Sequence, residues 1–282
     1  MKYDGHVHTP YCPHGSSDSF VQYIERALQL GLKEISFTEH APLPEGFIDT
    51  TPTTDSAMHI DDLLPYFEDI QIVKERYKSK IKINVGLEID FIEGFEEEIK
   101  TFLTKYGPFL DDSLLSVHFL KAGNDWICLD YSHELFGELT AKLGSVDEVY
   151  KCYYNTVEKA INSDLGEYKP KRIGHLTLVQ KFQKKYPPSL LLDERVFALL
   201  DIMKQKGLAL DYNGAGVMKE FCLEPYPSHR FVTYAQKIGI PLVFGSDAHQ
   251  AKDLGQGFHQ LLPVALSAPS SLIKHSFTKN KE

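Results

Sequence analysis

The chain has 282 residues, of which 43% are hydrophobic and 24% are charged, and its formal net charge is −9 at pH 7. This composition is ordinary for a globular protein with a full core. The acidic balance argues against duplex nucleic acid as the main partner, because neutralising phosphates takes clustered Lys and Arg. The four cysteines lack C-x-x-C spacing, which favours free thiols over a disulfide framework or a zinc ribbon.

The amino-terminal segment has no positively charged stretch followed by an apolar one, so the sequence predicts no signal peptide. Its apolar runs all fall short of the ~20 residues that a membrane-spanning helix needs. We therefore expect a cytoplasmic protein without a membrane partner. The sequence leaves the oligomeric state open.

The first predicted element is a short strand around residues 3–7, in which His6 and His8 project from the same face because strand side chains alternate. The Pro and Gly residues that follow predict a loop, and this loop carries a third imidazole, His14, back over the end of the strand. Converging imidazoles are typical of a metal site. The His-x-His spacing by itself is equally typical of two ordinary strand histidines.

Strands and helices then alternate along the chain. Predicted strands follow at residues 34–38, 81–89, 114–117, 172–174, 208–211 and 242–244, and predicted helices lie between residues 19 and 31 and at 61–77, 95–106, 146–162, 194–206 and 228–238. Residues 43–54 are predicted to form a long loop, which in a compact domain is usually functional. Residues 124–144 are predicted to be irregular with a short helix.

This alternation predicts a parallel sheet, and the absence of a composition break predicts a single domain over residues 1–282. An open doubly wound sheet concentrates its site between two strands, whereas a closed barrel collects side chains from the carboxyl ends of many strands. Polar residues follow most of the predicted strands: His6 and His8, His40, Glu88, His118, His175, Asp211, and Asp247 with His249. This spread favours a barrel.

The residue types at these strand ends point to metal chemistry. Imidazole suits borderline divalent metals and a carboxylate can bridge two ions, so a rim of His with Glu and Asp is what a multinuclear hydrolytic site requires. Seven of the twelve histidines lie at strand ends or in the first loop. For any one of them a hydrogen-bonded core histidine is the better explanation, and only the whole set favours a metal site.

The same residues resemble the motifs of the polymerase and histidinol phosphatase (PHP) superfamily. The matching motifs are His6-Val7-His8, His14, Glu39-His40, Gly86-Leu87-Glu88, Ser116-Val117-His118, Gly174-His175 and Ser246-Asp247-Ala248-His249. The opening Asp-Gly-His-Val-His-Thr-Pro-Tyr-Cys-Pro-His-Gly and the segment Pro-Lys-Arg-Ile-Gly-His-Leu-Thr-Leu-Val-Gln-Lys-Phe resemble its histidinol-phosphate phosphatase branch. Each motif is weak, but their order is specific and extends over nearly the whole chain.

The resemblance implies a distorted (β/α)7 TIM-like barrel with three divalent metal ions, either zinc, iron or manganese. The ligands it implies are His6, His8, Glu88 and Asp247 for one ion, Glu88 with His118 and His175 for a second, and His14, His40 and His249 for a third. Glu39 has no ligand role in this pattern, and we expect it to orient a ligating imidazole.

The activity that the resemblance implies is the hydrolysis of L-histidinol phosphate to L-histidinol and phosphate, a step of histidine biosynthesis. A phosphate dianion repels hydroxide, so several dications are needed to neutralise it and to provide a metal-bound hydroxide for in-line attack. Among the implied ligands, Glu88 bridges two ions, and Asp247 or His249 is the candidate to protonate the leaving alkoxide.

For the phosphate itself, Arg172 is the first candidate, because a guanidinium matches phosphate geometry bidentately. Arg195 and Arg230 are lesser candidates, for which helix-surface charge is at least an equal explanation. Asp211 and Asn213 are placed to contact the imidazole or ammonium of the substrate.

Two other functions stay open from the sequence. Other PHP members act as phosphoesterases on nucleotides or nucleic-acid ends, but the acidic balance and the lack of a basic stripe weigh against that substrate class. A non-catalytic metal-binding module predicts missing ligands, whereas the set in this chain is complete.

Overall fold

The computed structural model describes residues 1–190 and 192–272. The strands are β1 (Tyr3–Val7), β2 (Glu34–His40), β3 (Lys82–Asp90), β4 (Asp112–Ser116), β5 (Phe119–Ala122), β6 (Asp125–Cys128), β7 (Arg172–Ile173), β8 (Ala209–Asn213) and β9 (Leu242–Gly245). The helices are α1 (Phe20–Gln29), α2 (Leu63–Tyr77), α3 (Glu96–Tyr106), α4 (His133–Leu143), α5 (Val146–Asn162), α6 (Asp193–Gln205) and α7 (His229–Ile238).

Seven strands form one parallel sheet in the order β1-β2-β3-β4-β7-β8-β9. The sheet closes because Val7 pairs in parallel with Ala248, just beyond β9. Two backbone hydrogen bonds hold this seam, from the His8 amide to the Ala248 carbonyl at 3.0 Å and from the Asp247 amide to the His6 carbonyl at 2.8 Å. The predicted (β/α)7 barrel is therefore confirmed. Two irregularities are the two-residue strand β7 and a register shift between β1 and β2.

The helices cover the outside of the barrel and bury apolar faces against it. Helix α1 begins with a capping box, in which Ser19 accepts from the Gln22 amide while the Gln22 side chain accepts from the Ser19 amide. In the longest helix, α5, Ser145 provides the cap and one face is buried. These local signals explain why the predicted helix bounds agree with the observed ones to within about two residues.

The segment predicted to be irregular differs from expectation. Residues 124–144 contain β6 and the eleven-residue helix α4, and β6 pairs with β5 in an antiparallel hairpin. The turn between the two strands is Gly123-Asn124, and Gly123 has a φ of 70°. A Gly-Asn pair between two short strands is a recognised hairpin signal, so the hairpin was predictable.

All seven parallel strands point their carboxyl ends to one rim, where the loops with the predicted ligands gather. None of the helices in the described part of the chain is long and apolar enough to cross a bilayer. The single-domain span of 1–282 stays a prediction, since residue 191 and residues 273–282 lie outside the described ranges.

Candidate metal centre

A cavity of about 470 Å³ opens at the carboxyl rim of the barrel. Seven of the nine predicted ligands line it, namely His14, His40, Glu88, His118, His175, Asp247 and His249. The other two, His6 and His8, lie in its floor in contact with Glu88 and Asp247, and both are fully buried. The long loop that follows β2 contributes Thr51, Asp55 and Ser56 to the wall.

The first cluster joins the two ends of the chain. Nε2 of His8 lies 3.1 Å from Oδ1 of Asp247, and Nε2 of His6 lies 3.7 Å from the same oxygen. Asp247 has a φ of 54°, in the left-handed region that side-chain-bearing residues rarely adopt. A Cβ atom on Gly245 would lie 2.6 Å from that of His6, so glycine is required where β9 passes the first ligand.

The second cluster contains Glu88, His118 and His175, which come from β3 and from the ends of β4 and β7. Oε1 of Glu88 lies 2.9 Å from Nε2 of His175 and 3.7 Å from Nε2 of His118. The other oxygen of Glu88, Oε2, faces the first cluster at 3.2 Å from Nε2 of His6. Glu88 therefore lies between the two clusters, as a bridging carboxylate must.

The third cluster brings His14, His40 and His249 together on the outer side of the cavity. Nε2 of His14 lies 3.1 Å from Nε2 of His249, and the His14 and His40 rings are 5.1 Å apart. The buried thiol of Cys12 lies within 4.8 Å of ligand atoms of His8, His40 and His249. Cys12 is not among the predicted ligands.

With this geometry in view, comparison with known proteins identifies the family. A model of the PHP domain matches residues 4–215, and a PHP-associated model matches residues 228–274. The chain belongs to the PHP domain family. Within that family, the histidinol-phosphatase of Bacillus subtilis (strain 168) is 47% identical over 93% of this chain and 98% of that protein. This relative supports the PHP branch that the motifs predicted.

Two solved structures of PHP relatives share the fold. One is a Listeria monocytogenes protein with a provisional description as a histidinol phosphatase, which has a TM-score of 0.89 and 36% identity and covers 93% of this chain and 100% of that one. The other is histidinol phosphate phosphatase from Lactococcus lactis in complex with zinc, L-histidinol and phosphate. It has a TM-score of 0.66 and 23% identity and covers 89% of this chain and 87% of that one.

Behind the imidazoles of the PHP centre lies a row of carboxylates. Oε1 of Glu39 lies 3.1 Å from Nδ1 of His8, which is the orienting position expected for Glu39. Sequence reasoning missed the matching contact of Asp90, whose Oδ1 lies 2.6 Å from Nδ1 of His118. The signal was available, because Asp90 is two residues beyond Glu88 in β3 and so shares its face.

Asp211 and Asn213 do not reach the open part of the PHP cavity, contrary to the expectation that they contact substrate. Oδ2 of Asp211 lies 2.9 Å from Nδ1 of His6, and the Asn213 amide donates to Asp211 at 3.1 Å and to Asp247 at 3.2 Å. Both residues are fully buried. They contact two of the predicted ligands, His6 and Asp247, since the pleat of β8 turns them toward β1 and the end of β9.

The PHP clusters are strongly anionic, and this stabilises positive charge within them. Burial alone would lower the pKa of His8, but its hydrogen bonds to Asp247 and Glu39 raise that pKa to about 9. Burial likewise opposes protonation of His118, yet the charges of Asp90 and Glu88 raise its pKa to about 10. The carboxylates thus create a field that favours cations in the cavity.

The orientation of the His14 and His249 rings fits a metal ion between them. His14 donates from Nδ1 to the carbonyl of Asp55 at 2.7 Å, and His249 donates from Nδ1 to the carbonyl of Asp247 at 3.0 Å. When both rings are neutral, an imidazole that donates from Nδ1 has a lone pair on Nε2, and in that form the two Nε2 atoms, 3.1 Å apart, face each other as acceptors. A metal ion that accepts both lone pairs removes this conflict.

Buried atoms without a hydrogen bond are a further observation that fits a metal site. Among the described residues, they include Nε2 of His6, Nδ1 of His40 and Oε2 of Glu88. Oε2 of Glu88 lies 3.2 Å from Nε2 of His6 and 3.2 Å from Nδ1 of His40. Neither contact has the angles of a hydrogen bond. Buried polar atoms are nearly always paired, so this convergence fits a set of metal ligands.

The structure does not bring the three predicted phosphate-binding arginines into the PHP cavity. Arg172 is fully buried beneath it, where it donates to Asp112 Oδ2 at 2.6 Å and to the Gly5 carbonyl at 2.8 Å. It precedes His175 by three residues, which along a strand is about 10 Å. Arg195 pairs with Glu158 and Arg230 with Asp193 between helices on the barrel exterior, as the surface-charge explanation states.

Proposed function

We propose that the protein is a metal-dependent phosphomonoesterase that hydrolyses L-histidinol phosphate to L-histidinol and phosphate. The observation that carries this proposal is the meeting of three imidazole and carboxylate clusters in one cavity, in a chain 47% identical to a histidinol-phosphatase. The Lactococcus lactis relative, solved with zinc, L-histidinol and phosphate, supports the same substrate. The cytoplasmic location and the place in histidine biosynthesis stay predictions.

We assign three divalent ions, zinc, iron or manganese, to the three clusters. His6, His8 and Asp247 would hold the first ion and His118 and His175 the second, with Glu88 between them as a ligand available to both. His14, His40 and His249 would hold the third. When bound, such ions neutralise phosphoryl oxygens and lower the pKa of a coordinated water toward neutrality.

The protein side chains fix the ligands in the orientation that the ions require. Glu39, Asp90 and Asp211 each accept a hydrogen bond from Nδ1 of a ligating imidazole, which leaves Nε2 directed into the cavity. Ser116 donates to Oε1 of Glu88 at 2.6 Å and holds the carboxylate in its bridging position. The reacting groups therefore need little reorganisation when substrate binds.

Asp247 serves as a ligand rather than as the proton donor to the leaving group. Although burial alone would raise the pKa of Asp247, the charges of His6 and His8 hold it well below its usual range. Burial and the charge of His8 lower the pKa of His249, so a neutral His249 also suits a ligand better than an acid. We assign both residues to metal binding.

The test is phosphate release by the purified protein after loading with zinc, iron or manganese. We expect L-histidinol phosphate to be hydrolysed much faster than p-nitrophenyl phosphate, glycerol phosphate and nucleoside monophosphates, with three ions per chain by elemental analysis. Equal rates on all of these esters contradict the substrate assignment. Full metal loading without turnover of any ester indicates a metal-binding module instead.

A further inference from the structure

His14 is held differently from three of the other imidazoles in the metal centre. The rings of His6, His8 and His118 are buried, and each has a carboxylate against its Nδ1 atom. His14 lies in an exposed loop, and its Nδ1 donates to the carbonyl of Asp55 at 2.7 Å. The direction of its Nε2 atom therefore depends on where this carbonyl group lies.

The Asp55 carbonyl belongs to a peptide group whose amide is bound by a carboxylate. The N–H of this peptide group is that of Ser56, and it donates to Oδ2 of Asp49 at 2.9 Å. The Asp55–Ser56 peptide is trans, so it is planar and its N–H and C=O point in opposite directions. A carboxylate that fixes the N–H thus also fixes the direction of the C=O. Asp49, this peptide group and His14 form one continuous chain of hydrogen bonds.

Asp49 is well supported as the anchor for this amide. Its Oδ1 accepts from the amide and the hydroxyl of Thr51 at 2.8 and 2.7 Å, and its Oδ2 also accepts from the hydroxyl of Ser56 at 2.8 Å. Burial alone would raise the pKa of Asp49, but the hydrogen bonds from Thr51 and Ser56 lower it. An ionised acceptor makes stronger hydrogen bonds than a neutral one, and hydrogen bonds in series strengthen one another. The charge of Asp49 therefore makes the Asp55 carbonyl a better acceptor for His14.

The rest of the loop is fixed by contacts that do not involve Asp49. The ring of Phe47 packs edge-on against Phe119 and Trp126, with centroid separations of 5.1 and 5.9 Å. At the end of the loop, the Met58 amide donates to the carbonyl of His40 at 3.3 Å. A substitution of Asp49 is therefore expected to free the Asp55–Ser56 peptide group while the loop stays attached.

We propose that Asp49 is a positioning residue for the third cluster, which acts on His14 through the Asp55–Ser56 peptide group and so sets the affinity of the third ion. This inference rests on the ligand assignment within the proposed function. Asp49 does not line the cavity, so it acts on the ion only through His14. Residues that orient a ligating imidazole typically change metal affinity by ~10-fold to ~100-fold. Because a peptide group lies between Asp49 and the imidazole, we expect the lower end of this range.

The test is a double-mutant cycle between Asp49 and His14, with metal affinity as the readout. Asp49→Asn, His14→Ala and the double variant are compared with the wild type by competition of zinc with a chelator. The control is Glu45→Gln, which removes the same charge from an exposed position of the same loop. Melting temperatures of the metal-free proteins report whether each variant folds.

We expect Asp49→Asn to weaken the binding of one ion by ~10-fold and to leave the other ions unchanged, whereas Glu45→Gln changes none. In the His14→Ala background, Asp49→Asn has no further effect, because the ligand through which Asp49 acts is gone. Normal affinity for all ions in Asp49→Asn overturns the proposal. An equal loss with and without His14 also overturns it, since the effect then does not pass through His14.

Two further variants separate the peptide contact from general stabilisation of the loop. Ser56→Ala removes the hydroxyl that donates to Asp49 but keeps the amide, so we expect it to retain the affinity for the third ion. Asp49→Glu keeps the charge and recovers part of the affinity that Asp49→Asn loses. If Ser56→Ala weakens the third ion as much as Asp49→Asn does, the loop as a whole sets the affinity and the proposal is wrong.

A measurement on the metal-free protein reports the state of the His14 ring directly. NMR of protein with nitrogen-labelled histidines distinguishes a ring protonated on Nδ1 from one protonated on Nε2, and His14→Ala identifies the His14 signal. We expect the proton on Nδ1 in the wild type and a mixture of both tautomers in Asp49→Asn. The same tautomer in both proteins contradicts the proposed role.

The outcome is separable from the proposed function. If the wild type hydrolyses L-histidinol phosphate and Asp49→Asn keeps its metal affinity and its tautomer, the Asp49 role fails and the substrate assignment stands. If Asp49 and His14 are coupled in metal binding but the wild type releases no phosphate from L-histidinol phosphate, the reverse holds.

Discussion

The barrel interior buries charged residues at two levels, and the two levels differ in how those charges are satisfied. At the rim, Glu88 and the histidines around it direct several ligand atoms toward one another without hydrogen bonds. One level below, Arg172 and Asp112 form a direct ion pair, and the guanidinium also donates to the Gly5 carbonyl. Nε and Nη1 of Arg172 also have no hydrogen bond, so neither buried charge nor an unpaired atom by itself distinguishes a functional site from a structural one. What distinguishes the rim is that its unpaired atoms are imidazole and carboxylate atoms that converge beside a cavity.

The largest effect is expected at the bridging position of the rim. Glu88→Gln removes the charge that two clusters share, so activity falls by more than the ~10-fold to ~100-fold that loss of a supporting hydrogen bond produces. We expect a loss of several orders of magnitude, a lower metal content and an unchanged circular dichroism spectrum. Turnover numbers and elemental analysis measure this, with the surface residue variant Glu93→Gln as the control. Near-normal turnover contradicts the bridging role.

A substitution at the lower level, where Arg172 pairs with Asp112, is expected to lower the stability of the fold and to leave phosphate binding unchanged. Arg172→Met leaves Asp112 buried without its cation, which costs about 3–5 kcal/mol in the free energy of unfolding and lowers the melting temperature by roughly 10 °C. Urea unfolding and calorimetry measure these changes. Arg195→Met, which removes a half-exposed ion pair, is the control and changes stability by at most about 1 kcal/mol.

This experiment also distinguishes the sequence-based role of Arg172 from the structural one. A phosphate contact predicts weaker phosphate binding at unchanged stability, and a buried ion pair predicts the opposite. Should Arg172→Met fold as stably as the wild type and bind phosphate poorly, the contrast between the two levels is wrong.

The smallest effect on activity is expected at Glu39, which contacts the predicted ligand His8 from the side away from the cavity. Glu39→Gln keeps the shape of the side chain but weakens its hold on Nδ1 of His8. We expect metal affinity to fall by ~10-fold to ~100-fold. The melting temperature of the metal-free protein falls as well, because the buried Glu39 carboxylate also accepts from the amides of Thr9 and His40 and a Gln amide cannot satisfy all of these donors. Competition with a chelator measures the affinity, and Glu45→Gln, in an exposed loop, is the control. An unchanged affinity shows that Glu39 does not support the ligand.

The convergence of the proposed ligands in one cavity was predictable from strand geometry. His6 and His8 lie two residues apart in a strand, and parallel strands bring their carboxyl ends to one rim, so residues far apart in sequence converge. Because side chains alternate along a strand, Asp90 lies on the same face of β3 as Glu88, and its contact with His118 was predictable for the same reason. Helix bounds were predictable for a similar reason, since capping residues such as Ser19 and Ser145 act locally.

The placement of the cationic residues was not predictable, because it depends on depth and not on spacing. Arg172 and Lys181 flank His175 by three and six residues, and nothing in the sequence states that Lys181 lines the cavity while Arg172 lies beneath it. Depth depends on the length of β7, which ends after two residues, and on the 3-10 helix Leu178–Phe182, which returns Lys181 toward Asp130. These are tertiary properties.

The seam between Val7 and Ala248 has a consequence for biosynthesis of the protein. The ligands of the first cluster come from both edges of the sheet, so a nascent polypeptide emerging from the ribosome cannot assemble this cluster until translation has passed Asp247. An ion that joins His6 and His8 to Asp247 also staples the first strand to the last. Occupancy of this cluster by an ion would therefore require both edges of the sheet to be folded.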